Sequence, residues 1–425
     1  MLVALLFGVF ALCLILGVPI GIALGAASAV YLVGAGIDLA VVPQYMFAGM
    51  DSFVLLCIPG FVLAGALMNG GGITDQIVKF GDALVGHIRG GLGLANVVGS
   101  MIFAGISGTA VAETASIGAV MIPAMKKSGY DAPFSAALTA SASTVGPIIP
   151  PSVPMIIVGT LTGLSVGKMF LAGAVPGLLM GVGMMVTAYV ISRRRGYPKG
   201  EWRGFGYLLS TSKAAFWAIL MTAVILYGIV GGVFTPTEAS IISAIYAFVV
   251  GLFVYKGFRV SDLPKLMIEA AIGSGSLVLL VGFANVFGWI LTSEQIPQAI
   301  AAAMLSVTQN KYLILLFVNI LLLIVGTFME TIAALIILFP PLLAVALKVG
   351  IDPIHFAIIV VINLMIGLTT PPVGVCLFVA ANIAKISLTD ISKAVWPFVL
   401  CNLIVLLLVS YIPGLALWLP EMFYK

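Results

Sequence analysis

The stretch "TVGPIIPPSVP", Thr144 to Pro154, places four prolines and a glycine within eleven residues. Proline has no backbone N–H and its ring clashes with the preceding turn, so this run interrupts any helix that enters it. The surroundings make such an interruption expensive. Hydrophobic residues form 62% of the 425 and charged residues only 8%, against roughly a quarter charged in a soluble domain. In a bilayer, irregular backbone survives at depth only where protein or a water-filled cavity covers it.

Working outward, apolar stretches long enough to cross a bilayer recur at 50–68, 170–191, 214–233, 236–255, 268–291 and 394–418. An all-α polytopic membrane protein is therefore expected. The short alternating segments of a β-barrel are missing. The N-terminal "MLVALLFGVFALCLILG" lacks a basic leader and a small-residue cleavage site, and reads as a retained membrane segment. Residues 2–35 are either one long bent helix or two short ones joined at Gly17-Val18-Pro19. Cys13, Cys57, Cys376 and Cys401 have no metal or redox spacing and read as small buried hydrophobes.

The net charge of +4 is distributed as a topology signal and implies no nucleic-acid partner. Arg193, Arg194, Arg195, Lys199, Arg203 and Lys213 crowd one polar linker, which belongs in the cytoplasm. That linker divides the chain into two halves that resemble each other. "ETASIGAVMIP" (Glu113–Pro123) matches "ETIAALIILFP" (Glu330–Pro340), Asp131 matches Asp352, and Gly146, Pro150 and Pro151 match Gly367, Pro371 and Pro372. Pro19 with Ser28 to Tyr31 finds a looser echo in Pro236 with Ser243 to Tyr246.

The basic residues put both flanks of segment 91–125 inside and both flanks of 312–348 outside. Each segment is broken near its middle by glycines and hydroxyls, "AGISGTAVAET" and "VGTFMET". Each reads as a re-entrant helical hairpin. The halves are then inverted repeats, the pattern of secondary transporters working by alternating access. The expected division is 1–90 scaffold helices and an interfacial arm, 91–169 the first hairpin and broken helix, and 170–213 a helix and basic linker. The second half follows with 214–311 scaffold and arm, 312–390 the second hairpin and broken helix, and 391–425 a C-terminal helix.

Each half offers a hairpin tip and a proline-rich break. Free carbonyls and hydroxyls there are hard oxygen ligands suited to sodium, and half-helix N-termini suit an anionic substrate group. The breaks "TVGPIIPP" (144–151) and "GLTTPP" (367–372) are thus paired halves of one substrate and ion site, with Pro150, Pro151, Ser152, Pro371 and Pro372 on the substrate side. Simple helix kinking is the bland alternative; two breaks facing two tips favour the site. Glu113 and Glu330 lie just past the tips and read as structural supports for them. Thr327 to Glu330 fits the T-x-x-E capping box. His87 and His355 have no metal-spaced partner. In residues 70–90, Ile73, Ile77, Phe80, Leu84 and Ile88 form one stripe, as in a helix lying in the membrane interface; 293–310 occupies the mirrored place.

"GVPIGIALG", "AGISGTAVAETASIG", "GPIIPPS" and "GLTTPPVG" closely resemble the large membrane subunit of TRAP (tripartite ATP-independent periplasmic) transporters, over nearly the whole chain. The resemblance implies a sodium-coupled importer of organic acid anions in the bacterial inner membrane. It implies two partners, a small membrane subunit on a separate chain and a periplasmic binding protein, and an elevator motion of a transport domain against a scaffold. Sodium-binding regions carried over by it are Ser107, Gly108 and Thr109 with Ser143, Thr144 and Gly146, then Gly326, Thr327 and Met329 with Gly367, Thr369 and Thr370. No cofactor beyond the coupling sodium ions is implied. Sialic acid is the expected substrate ahead of C4-dicarboxylates, although no motif decides it. The alternative is a stand-alone sodium/carboxylate symporter. An enzyme is disfavoured: the chain has no HExxH, no nucleophile and base set, and no Walker A motif.

Overall fold

The computed structural model describes residues 2–424, and of residues 104–107 the backbone alone. Twenty α-helices form among the described residues. The first half contains α1 (Leu2–Ile15), α2 (Ile20–Ala35), α3 (Val41–Met50), α4 (Cys57–Gly70), α5 (Ile73–Val85), α6 (Gly91–Ser107), α7 (Ala110–Lys127), α8 (Ala132–Ser143), α9 (Val153–Thr162) and α10 (Val166–Arg195). The second contains α11 (Gly204–Val230), α12 (Pro236–Val249), α13 (Leu263–Ser293), α14 (Ile296–Val307), α15 (Lys311–Phe328), α16 (Thr331–Lys348), α17 (Pro353–Gly367), α18 (Val375–Ala384), α19 (Leu388–Tyr411) and α20 (Gly414–Phe423). The fold is all-α and polytopic. Among the described residues, seven helices are long and apolar enough to cross a membrane: α10, α11, α12 with the π turn that extends it, α13, α15, α16 and α19. Helices α4 and α5 together form an eighth candidate, bent by 70°.

Local chemistry sets many of the helix starts. Thr235 and Glu238 close a capping box on α12, Ser152 caps α9, and Asp352 accepts from the backbone N–H groups of Ile354 and His355 at the head of α17. Pro353 then stands where its missing N–H costs nothing.

Helices α8 and α17 are the innermost. Every residue from Phe134 to Ser143 and from His355 to Gly367 is buried. The alanines and serines of α8 let its neighbours approach closely, and α17 is apolar nearly all round, as a fully surrounded helix must be. The halves interlock. Helix α2 packs on α13 and α12 on α4, while α7 packs on α18 and α16 on α9. Each hairpin is tied to the broken helix of its own half by an asparagine. Asn96 donates to Thr139 Oγ1 at 2.6 Å, and Asn363 donates to Asn319 Oδ1 at 2.8 Å.

The structure settles one alternative and corrects three expectations. Residues 2–35 form two helices, turning at Gly17 with φ 76°. The stretch 50–68 is not one span, because α3 ends at Met50 and α4 begins at Cys57. Stretch 394–418 breaks at Ile412–Pro413, where Pro413 stops α19 and starts α20. On α5 the buried line runs Ile73, Ile77, Gly81, and Leu84 faces outward. The reason is that α5 lies against α6, where a glycine and not a bulky residue fits. A Cβ on Gly81 would stand 2.9 Å from the Ala95 carbonyl oxygen.

Candidate functional site

Both proline-rich stretches are non-helical, at 144–152 between α8 and α9 and at 368–374 between α17 and α18. Both hairpins turn where the sequence places the polar interruptions, at Gly108–Thr109 and at Met329–Glu330. The Pro150–Pro151 and Pro371–Pro372 peptides are cis.

In the first half, tip meets break. Gly108 adopts φ 62°, and a Cβ there would lie 2.9 Å from Val153 and 3.8 Å from the Pro151 carbonyl oxygen. Gly108, Pro151 and Ser152 line one small cleft together with Phe61 of α4. Ser143, Thr144 and Ser152 are fully buried. Their hydroxyl protons are spent locally: Ser143 on the Thr139 carbonyl at 2.9 Å, Thr144 on Ser141 at 2.7 Å, and Ser152 on Pro147. Ser152 Oγ also accepts from Met155 N at 3.3 Å, while the Ser143 and Thr144 oxygens keep lone pairs that can accept or ligate. The Ser107 side chain lies outside the described residues. Thr109 is half-buried at the N-cap of α7.

In the second half the approach is closer still. A Cβ on Gly367 would stand 2.4 Å from the Gly326 carbonyl carbon, so two backbones touch where the hairpin reaches the break. Gly374, at φ 56°, donates its N–H to the Thr327 carbonyl at 3.4 Å. Thr369 and Thr370 both donate to the Ile366 carbonyl, at 3.0 and 2.8 Å. This break is the open one. Thr370, Pro371 and Met329 are half-buried and Pro372 is exposed, whereas Pro150 and Pro151 are both buried.

The glutamates part company. Glu330 is itself the N-cap of α16, accepting from Ile332 N at 2.8 Å and Ala333 N at 3.3 Å. The expected Thr327 capping box does not form. Thr327 sits in the last turn of α15 and donates to the Ile324 carbonyl at 2.7 Å. Glu113 is fully buried in the first turn of α7, and neither of its oxygens has a hydrogen-bond partner among the described residues. Glu330 supports its tip through these two backbone hydrogen bonds. His355 is structural, with Nε2 2.8 Å from the Val409 carbonyl oxygen.

Two groups of residues escaped the sequence reading. One is the asparagines that bind hairpins to broken helices; polar residues inside apolar helices were the available signal. The other is a cavity of about 360 Å³ between α3, α9, α13, α14 and α16, lined by Tyr45, Asn285, Trp289, Pro340 and Pro341 among others, with the Tyr45 and Trp289 rings stacked at 4.7 Å. Its residues come from five helices and share no motif.

Buried helix breaks met by hairpin tips, in a bundle of membrane-spanning helices, are the equipment of a membrane transporter. Residues 7–415 match the family described as tripartite ATP-independent periplasmic transporter, DctM component, and the chain belongs to that family. It is 43% identical over 416 residues to the isethionate TRAP transporter permease protein of Oleidesulfovibrio alaskensis, covering 97% of this chain and 65% of that protein. The sialic acid TRAP transporter large permease protein of Vibrio cholerae is 40% identical over 413 residues, 96% of each chain. The C4-dicarboxylate TRAP transporter large permease protein of Pseudomonas aeruginosa is 41% identical over 376 residues, 88% of each. The YdaH transporter of Alcanivorax borkumensis shares the fold, with a TM-score of 0.65 at 15% identity over 90% of this chain and 89% of that one. The chain is thus a multi-pass inner-membrane transport component and not an enzyme.

Proposed function

We propose that this chain is the large membrane subunit of a sodium-coupled importer of an organic acid anion. A periplasmic binding protein delivers the anion, and a small membrane subunit completes the complex. The observation that carries the proposal is the pairing of each hairpin tip with the break of its own half, at Gly108 with Pro151–Val153 and at Gly326 with Gly367. Backbone carbonyls and hydroxyls gathered there are hard ligands for sodium, and the N-terminal ends of α9 and α18 carry partial positive charge suited to a carboxylate. Glycine at the contacts lets the chains come close enough for carbonyls of two segments to share one ion.

In this reading the halves are inverted repeats, and the α6–α9 and α15–α18 modules move together as the transport domain against α2–α4 and α11–α13. The interlocking of α7 with α18 and α16 with α9 supports a single moving body. The open second break and sealed first break fit a state with access from one side. The relatives' names span isethionate, sialic acid and C4-dicarboxylate at 43%, 40% and 41% identity. Their shared chemistry is a small organic anion; sialic acid is the first to test.

The test is uptake of labelled substrate into proteoliposomes holding this chain and its small subunit, with and without an inward sodium gradient and with and without the binding protein. Uptake that requires both establishes the tripartite reading. Sodium-driven uptake without the binding protein would instead make it a stand-alone symporter. Uptake indifferent to sodium would sink the coupling.

A further inference from the structure

The breaks differ in what fills the space beside their glycines. At Gly367 it is the backbone of Gly326; at Gly146 it is the carboxylate of Glu113, whose Oε2 lies 2.1 Å from where a Cβ would stand. Glu113 is fully buried, both its oxygens lack hydrogen-bond partners, and it takes part in no salt bridge among the described residues. Its neighbours are oxygen donors without matching positive charge. The Ser143 carbonyl oxygen lies 3.2 Å from the same Cβ position. Among the described residues, the buried Ser100 hydroxyl of α6 is the one side-chain donor close to it, and Cys376 of α18 lies nearby. A carboxylate taken out of water with a single hydroxyl and no cation beside it is a costly arrangement, and an intramembrane acid marks a functional position by default. The glycine that makes room for it belongs to a broken helix, and the Ser143 carbonyl, which accepts the Gly146 N–H at 3.3 Å, keeps a second lone pair that can ligate.

We infer that Glu113 is the anionic ligand of a sodium site in the first half, sharing the ion with the Ser143 carbonyl and Ser100 hydroxyl, and that the second half binds its sodium without a charged ligand. The inference rests on the sodium-coupled reading above. The cation supplies the charge that the buried carboxylate lacks, and the carboxylate supplies a stronger ligand than any carbonyl. Glu330, held by two backbone N–H groups at the head of α16, has its charge already engaged. The two sodium sites are then unequal: the first is neutralised by its ion, and the second becomes positive when filled. The first should therefore fill at lower sodium concentration.

The test is ²²Na binding to the purified complex of this chain and its small subunit, with choline as the control cation, alongside the shift of melting temperature with added sodium. Glu113→Gln should raise the apparent Kd of the tighter sodium class at least tenfold and shrink the sodium-dependent melting shift. Glu330→Gln should keep both classes. Should Glu113→Gln fail to give a monodisperse complex, Gly146→Ala takes its place, because the new methyl displaces the carboxylate and should weaken the same class. Wild-type sodium binding in whichever variant folds would overturn the inference while leaving sodium coupling intact. Absence of saturable ²²Na binding to the wild type would overturn both.

Discussion

Two halves of this chain carry the same acids at matched places and use them differently. In the second half, Glu330 and Asp352 are spent on helix ends, each accepting from two backbone N–H groups. In the first half, Glu113 points at Gly146 with no partner, and Asp131 leaves the head of α8 to meet Arg195 at 2.9 Å and the Tyr197 hydroxyl at 2.6 Å. Matched sequence marks therefore accompany breaks and turns at matched places without giving matched chemistry. The backbone follows glycine, proline and apolar pattern, which the halves share. What an acid does follows the groups packed around it, and these differ between the halves.

The comparison breaks most sharply at the two glycines. Gly367→Ala would push a methyl into the Gly326 backbone, which cannot turn aside. A loss of about 3 kcal/mol is expected, with uptake abolished. Thermal melting of the purified protein measures the first and proteoliposome uptake the second. Gly146→Ala meets chiefly the movable end of a side chain, with the Ser143 carbonyl oxygen further off at 3.2 Å, so its cost should be near 1 kcal/mol. Equal destabilisation of the two variants would show that Glu113 is as fixed as backbone.

The acids provide smaller contrasts. Glu330→Ala and Asp352→Ala each remove an N-cap and should each cost about 1 kcal/mol. Asp131→Ala removes a bridge whose partners are half exposed (side chains 46% and 55%). It should cost about 0.5 kcal/mol, and less in high salt. Denaturation of the three variants at low and high ionic strength separates these roles. Were Asp131→Ala to cost as much as Asp352→Ala at high salt, the two aspartates would be doing the same work.

The smallest effect belongs to Tyr197, in the linker outside the spans. Burial and its bond to Asp131 raise its hydroxyl above the usual value. A raised acid favours the neutral form when folded, so the bond persists through neutral pH and is lost only above pH of about 10. Tyr197→Phe should cost under about 1 kcal/mol at pH 7 and flatten the alkaline limb of a stability–pH profile.

The breaks and turns of the candidate site were legible because they are backbone marks. "TVGPIIPPSVP" and "GLTTPP" had to be irregular, and irregular backbone in a bilayer had to be covered; both follow from proline's missing donor. The turns at Gly108–Thr109 and Met329–Glu330 fell where glycine and hydroxyls interrupt apolar runs. Capping was less readable. Thr327 and Glu330 have capping-box spacing, yet the helix starts one residue after Glu330, so the threonine belongs to the helix before. The apparent span at 50–68 failed because hydropathy averaged over a window does not register the break at 51–56, where four apolar residues, Phe53 to Leu56, follow Asp51 and Ser52.

By itself the sequence determined the class: a helical membrane bundle, halved by a basic linker, with two broken helices and two interrupted hairpins. Apolar length and proline are local properties, and local properties act before any tertiary contact exists. The tertiary structure alone decided which tip meets which break and how closely, that one break is sealed and the other open, and that Glu113 faces Gly146 while Glu330 caps its own helix. Those outcomes depend on groups far apart in the chain being packed within a few ångströms, and spacing along the chain does not carry that distance.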